Sequence, residues 1–428
     1  MIKKQYIFIL IPLLLIQATV AHADKPRFSD RVFDNRIKTV LLHREGWELS
    51  YPLIRLGSDD RLILKFDLLG DNIETYYYTI IHCNKDWEES DIFRNDYTDG
   101  FDDNPIEEYK SSFNTTINYT HYSLTIPNER MTIKLSGNYI LKVFPAGSPD
   151  NPVITRRFMV TEDAVIISAD VHRPLMTSES NHSQQVDFTI RYQGNSIIDP
   201  RNNIFAFIIQ NGRWDRVATN LVPDFIGNNE LRYSSLSEKT TFRGGNEFRY
   251  FDIKSIRYQS EYIRSIDFLD RDFHVRLTPS ENREFKPYFY WQDFNGKYIV
   301  AHQEGRDPDT DADYVSVYFS LPASNPVPGG KLYVSGAFNN WMLNENNLMV
   351  YEPSTSSYQT TVLLKQGWYN YEYVFLPEGS ATAVSKFEGD HFETENDYTI
   401  LVYYRNPRDR YDRLTGSLTL NTLNRISR

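Results

Sequence analysis

The sequence predicts an all-β protein made of tandem immunoglobulin-like β-sandwich domains, and three observations carry that expectation. Aromatic residues make up 14% of the chain, 30 of them tyrosines, and aromatic side chains suit the pleated, half-buried surface of strands. Short runs of alternating apolar and polar residues recur at the spacing of sandwich strands, separated by Gly, Pro, Asn and Asp clusters. Cys83 is the only cysteine, so an exported chain of this kind is held by buried apolar and aromatic surface and not by internal disulfides.

Residues 1–23 read as a signal peptide. Lys3 and Lys4 give a positive start, an apolar run from Tyr6 to Ile16 follows, and Ala21-His22-Ala23 supplies a small-residue cleavage site. The run is too short for a comfortable membrane span, and no later stretch reaches spanning length. Cleavage after Ala23 leaves a soluble, periplasmic protein beginning at Asp24. The formal charge of −11 becomes two units more negative without Lys3 and Lys4. That disfavours nucleic acid or an anionic membrane surface as a partner, since both need basic patches. The remainder is too long for one core.

The first sandwich is expected over 24–162. Leu62, Leu64, Phe66 and Leu68 alternate along one strand, and Tyr139, Leu141 and Val143 along another. Cys83, flanked by Ile80, Ile81 and Trp87, reads as a small buried hydrophobe. His82 beside it points to the other face of the strand, so the two do not form a nucleophile–base pair. Between these strands lies a long loop, 84–120, in which neither a helical nor a strand period persists. Its recurring aromatics exclude disorder and indicate a packed, shaped loop. Trp87, Tyr97, Phe101, Asn104, Tyr109 and Phe113 are its candidate functional residues, either partner contacts or anchors of the loop's own core. As a loop it is expected to be removable from Ser90 to Lys110 without unfolding the sandwiches, because closure entropy grows only logarithmically with length.

The second sandwich is expected over 163–306. Val186, Phe188, Ile190 and Tyr192 alternate, and Ile204–Ile209 is a continuous apolar run suited to a central strand. Arg243, Arg249, Arg257, Arg264, Arg271 and Arg276 make its second half locally basic, either as solvated, acid-paired positions or as a surface for an acidic partner. Just beyond this unit, Asp309, Asp311 and Asp313 imitate the first ligands of a calcium loop. Tyr314 and Ser320 occupy the positions that require Gly and Glu, so the segment reads as a solvated linker.

The third sandwich is expected over 307–428. Val334-Ser335-Gly336-Ala337-Phe338-Asn339-Asn340-Trp341 and Gln366–Phe375 resemble the early-set sandwich of glycogen-binding modules. Such modules stack sugar on aromatics, one in the position of Trp341 and another just after the strand equivalent to Tyr371–Phe375. Here that segment, Leu376–Ser380, has no aromatic, so the resemblance implies the fold and not the ligand.

A second resemblance covers the first unit. His82-Cys83-Asn84-Lys85-Asp86-Trp87, then Asp96–Ile106, Ser112–Thr116, Thr120–Tyr122, Leu124–Asn128 and Leu135–Tyr139, resemble the ordered signature blocks of the type IX secretion system plug protein family. The resemblance implies a non-enzymatic periplasmic protein that closes the inner mouth of the giant outer-membrane β-barrel translocon while it is empty. It would be peripheral to the membrane, with no cofactor. The chain offers no phosphate-cradling glycine loop, no Cys/His metal set and no Ser-His-Asp constellation. The alternative reading is an exported glycan-binding protein, which predicts exposed, coplanar aromatics around Trp341. An inert spacer is the third.

Overall fold

The computed structural model describes residues 28–176, 178–193, 197–234 and 238–424; the expected signal peptide, 1–23, lies outside them. The protein is nearly all β. One sheet of the first sandwich orders Arg31–Val32, Ile154–Thr161, Gly137–Pro145, Tyr76–Cys83 and Asn104–Pro105, with Leu53–Arg55 added parallel to Ile154–Thr161. The facing sheet orders Ile37–Arg44, Leu62–Leu69, Tyr119–Ile126 and Glu108–Ser111. Alternation decides the inward face: Leu62, Leu64, Phe66 and Leu68 are fully buried against Tyr139, Leu141 and Val143. Phe66 stacks on Tyr122 with ring centroids 4.9 Å apart, an arrangement that adds to plain area burial.

The expected boundary at 306/307 is not a sheet boundary. Arg249–Asp252, Ile263–Leu269, Asp272–Leu277 and Tyr298–Val300 join the sheet that contains Tyr314–Pro322, Gly330–Ser335, Ser357–Lys365 and Gly367–Pro377. Conversely, Asp397–Tyr404 and Arg413–Asn421 return to the second sandwich, where Asp397–Tyr404 pairs along the whole of Ile204–Gln210. The third sandwich is thus inserted into the second, leaving near Gly244-Gly245 and returning near Asn396. The crossing is stitched by Asn396 Nδ2 donating to the Gly244 carbonyl at 2.8 Å and by the His391 N–H donating to the Gly245 carbonyl at 2.8 Å. A strand's apolar alternation tells which face is buried, but not which strand it pairs with.

The presumed solvated linker is also different. Pro308–Asp311 forms a helical turn, and Asp313 is buried. The Asp313 carboxylate accepts the Thr116 N–H and hydroxyl, both at 2.9 Å, and the Tyr314 N–H. Tyr119 donates its hydroxyl to the Ala312 carbonyl at 2.8 Å. Segment 305–313 therefore welds the first and third sandwiches, with Asp309 paired to Lys65 and Asp313 held by Thr116. The basic run is divided as well: Arg249 pairs with the buried Glu388 at 2.9 Å, whereas Arg276 reaches Asp267 near the surface.

Candidate functional site

The stretch after Tyr76–Cys83 runs through a helical turn and three short strands before entering Tyr119–Ile126. At its start the strand alternation separates two neighbours. Cys83 points into a cluster with Trp87, Ile140 and Met159, where burial pushes its thiol well up. His82 points the other way, its Nδ1 2.8 Å from the Ser90 hydroxyl and its Nε2 3.0 Å from the Ser136 carbonyl oxygen. Burial holds its pKa down to about 4, so the ring is neutral and structural.

Three of the predicted residues are anchors. Trp87 is buried with φ +67° and meets Trp214 of the second sandwich edge to face, ring centroids 4.8 Å apart. The Arg157 guanidinium lies over both indoles, at 4.6 and 5.1 Å. Tyr97 ends the helical turn Arg94–Tyr97 and packs its ring against those of His82 and Tyr139. Asn104 is buried on the short strand that extends the first sheet, opposite Tyr78. Its Nδ2 donates to the Phe101 carbonyl at 3.0 Å and so fixes the turn between them.

The other three face outward. Phe101 is 75% exposed and Phe113 is 72% exposed, and Tyr109 stands half out of the edge strand Glu108–Ser111. Phe93, which the alternation of the sequence did not single out, is 74% exposed. Its only signal was its place in the same aromatic run. The backbone under these rings is well held. Arg94 donates to the Gly100, Phe101 and Asp102 carbonyls, and the Phe113 N–H donates to the Thr310 carbonyl at 3.0 Å. Gly100, at φ +113°, packs so tightly that an added Cβ would lie 1.9 Å from the Arg130 carbonyl oxygen, so only glycine fits.

The stretch is therefore not structureless. Thr98–Gly100 pairs with Met131–Ile133, Glu108–Ser111 with Tyr119–Ile126, and Ile106 is part of the sandwich core. The expectation that Ser90–Lys110 is dispensable for folding fails for that reason: removal would take Tyr97 and Ile106 out of the core.

A family model described as type 9 secretion system plug protein 1st domain matches residues 37–162, and this stretch lies wholly inside the match. The chain belongs to the type 9 secretion system plug protein family. It is thus a protein of type IX secretion, and the family is a non-catalytic one. A crystal structure of a hypothetical protein from Parabacteroides merdae is 35% identical, with a TM-score of 0.89, over 93% of this chain and 100% of that one. Comparison with curated proteins gives no match. Among the described residues no helix is long and apolar enough to cross a membrane.

Trp341 of the third sandwich is half-buried. The Arg213 guanidinium lies over one face of its ring at 4.0 Å. The neighbouring Phe248 ring is 5.8 Å away and tilted by 60°, so the two are not coplanar.

Proposed function

We propose that this plug-family protein acts in the periplasm, exported by residues 1–23, and docks on the periplasmic opening of the giant outer-membrane β-barrel translocon. There it closes the pore while no substrate is engaged. The observation that carries the reading is the division of labour in the 82–120 stretch. Trp87, Tyr97 and Asn104 are buried and fix the backbone, while Phe93, Phe101 and Phe113 project from it into solvent. Large apolar side chains exposed on a rigid, pre-ordered loop lose little conformational entropy on binding. They are therefore suited to fill pockets on a partner. Blocking a pore needs only shape and contact, which matches a body built of welded sandwiches.

The test is co-purification from envelopes of cells carrying the triple variant Phe93→Ala, Phe101→Ala, Phe113→Ala. The variant should fold as the wild type, lose the translocon from the purified material, and leave cells permeable to large antibiotics that the outer membrane normally excludes. Undiminished recovery of the translocon with a closed pore would refute the proposed docking face.

A further inference from the structure

Where the three sandwiches meet there is a cleft of about 1040 Å³. It is at the upper end of what a small-molecule site usually offers. Five cations line it. Arg31 is exposed and Arg44 pairs with Asp60 at 2.7 Å, which leaves Arg156 and Arg157 from the first sandwich and Lys297 from the third. Each of these three donates only to main-chain carbonyls. Arg156 bonds those of Arg31 and Thr155, Arg157 that of Phe28, and Lys297 that of Leu49. Among the described residues no carboxylate stands within ion-pair distance of any of the three. Arg156 is 4% exposed and its Nη2 has no hydrogen-bond partner at all.

Six acids line the same cleft. Glu48 is exposed beside Trp47, Glu395 accepts the Asn421 amide at 2.8 Å, and the other four are held as follows. Asp215 pairs with Arg213 at 2.7 Å. Asp397 accepts the Tyr51 hydroxyl at 3.2 Å and the Asn421 amide at 2.9 Å. Asp293 accepts two backbone N–H groups, and Asp30 accepts the Arg157 N–H. Arg156, Arg157 and Lys297 thus stand in the cleft without a carboxylate partner, in a chain whose net charge is −11. Cations out of water and without a counter-charge are costly, and a carboxylate supplied from outside relieves that cost. The cations are also steered by aromatic faces: Lys297 Nζ lies 3.7 Å from the Tyr51 ring centroid and Arg157 lies over Trp214. At the rim, Trp47 is 60% exposed and Tyr290 is 44% exposed, the anchors an apolar side chain would meet.

We propose that this cleft is a docking groove for an extended acidic segment of a polypeptide partner. The carboxylates of the segment meet Arg156, Arg157 and Lys297, and its apolar side chains meet Trp47 and Tyr290. The groove is separate from the loop surface and does not depend on pore closure.

The measurement is fluorescence anisotropy of a labelled short peptide alternating Glu with Leu, titrated with the full chain. Saturable micromolar binding is expected, lost when Gln replaces Glu in the peptide. It should weaken at least about tenfold in Lys297→Met and in Trp47→Ala, as expected when a charge-assisted hydrogen bond or an anchor is removed. Trp47 is exposed, so its replacement leaves the fold intact even if Lys297→Met perturbs it. The Phe93, Phe101, Phe113 triple variant should bind the peptide like the wild type, which separates failure here from failure of the pore-docking reading. Absence of saturable binding, equal binding by both cleft variants, or equally effective competition by inorganic polyphosphate would overturn the proposal.

Discussion

Asp67 and Lys365 stand 298 positions apart in the chain. Yet their side chains meet at 2.7 Å with both 1% exposed. Asp67 also holds His121 Nδ1 at 2.6 Å and the Tyr314 hydroxyl at 2.7 Å, and Lys365 donates to the Asp309 carbonyl at 2.8 Å. This is the charge-paired centre of the weld between the first and third sandwiches. Removing one partner leaves the other charge buried and alone. Lys365→Met should therefore cost about 3–5 kcal/mol, and the double variant with Asp67→Asn should recover most of that loss. Urea midpoints for the two single variants and the double variant check this.

The aromatics of the 82–120 stretch should divide by burial. Tyr97→Ala empties part of the first core and should cost about 3–5 kcal/mol. Phe101→Ala and Phe113→Ala remove solvent-facing rings and should stay within about 0.5 kcal/mol. Melting curves of the three single variants decide it, and deletion of Ser90–Lys110 should behave like Tyr97→Ala or worse.

Cys83 should be unreactive while the protein is folded. Its thiol is buried and pushed well up by that burial, and the thiolate is the species that reacts. Labelling by a maleimide should begin only once denaturant opens the first sandwich. Cys83→Ser should cost about 1–3 kcal/mol. The nearest acceptor of the thiol, the Ile81 carbonyl oxygen, lies 3.7 Å away, beyond hydroxyl hydrogen-bonding reach.

Stability should fall as pH rises through neutrality. Glu247 is fully buried, and that burial raises its carboxyl to about 7, against the lowering effect of the Tyr288 hydroxyl that it accepts. Its neighbour Asp293 is raised for the same first reason. Asp293 accepts two backbone N–H groups, and Glu247 accepts the Tyr288 hydroxyl and the Glu395 N–H, yet burial raises both carboxyls of the pair. A carboxyl raised above its unfolded value of 4.5 adds stability that is complete below that value. The contribution is lost as pH climbs through about 7. Glu247→Gln should flatten the dependence of the urea midpoint on pH between these limits; an unchanged slope would place the titration elsewhere.

Alternation along single strands was enough to name the first core: Leu62, Leu64, Phe66 and Leu68 against Tyr139, Leu141 and Val143. The His82–Trp87 block pointed to the family for a similar reason, since identity along the chain survives without coordinates. What required tertiary structure is everything set by pairing between distant segments. Ile204–Gln210 takes Asp397–Tyr404 as its partner across the whole inserted sandwich, and nothing in either strand's pattern encodes that choice. The aspartates of 305–313 read as solvated because charge alone predicts water, but Thr116 and Lys65 reach Asp313 and Asp309 from elsewhere in the chain. Likewise Tyr97 and Phe101, four positions apart in one aromatic run, end in a core and in solvent. Burial is decided by what packs on a residue from outside its own segment, and a local pattern carries no record of that.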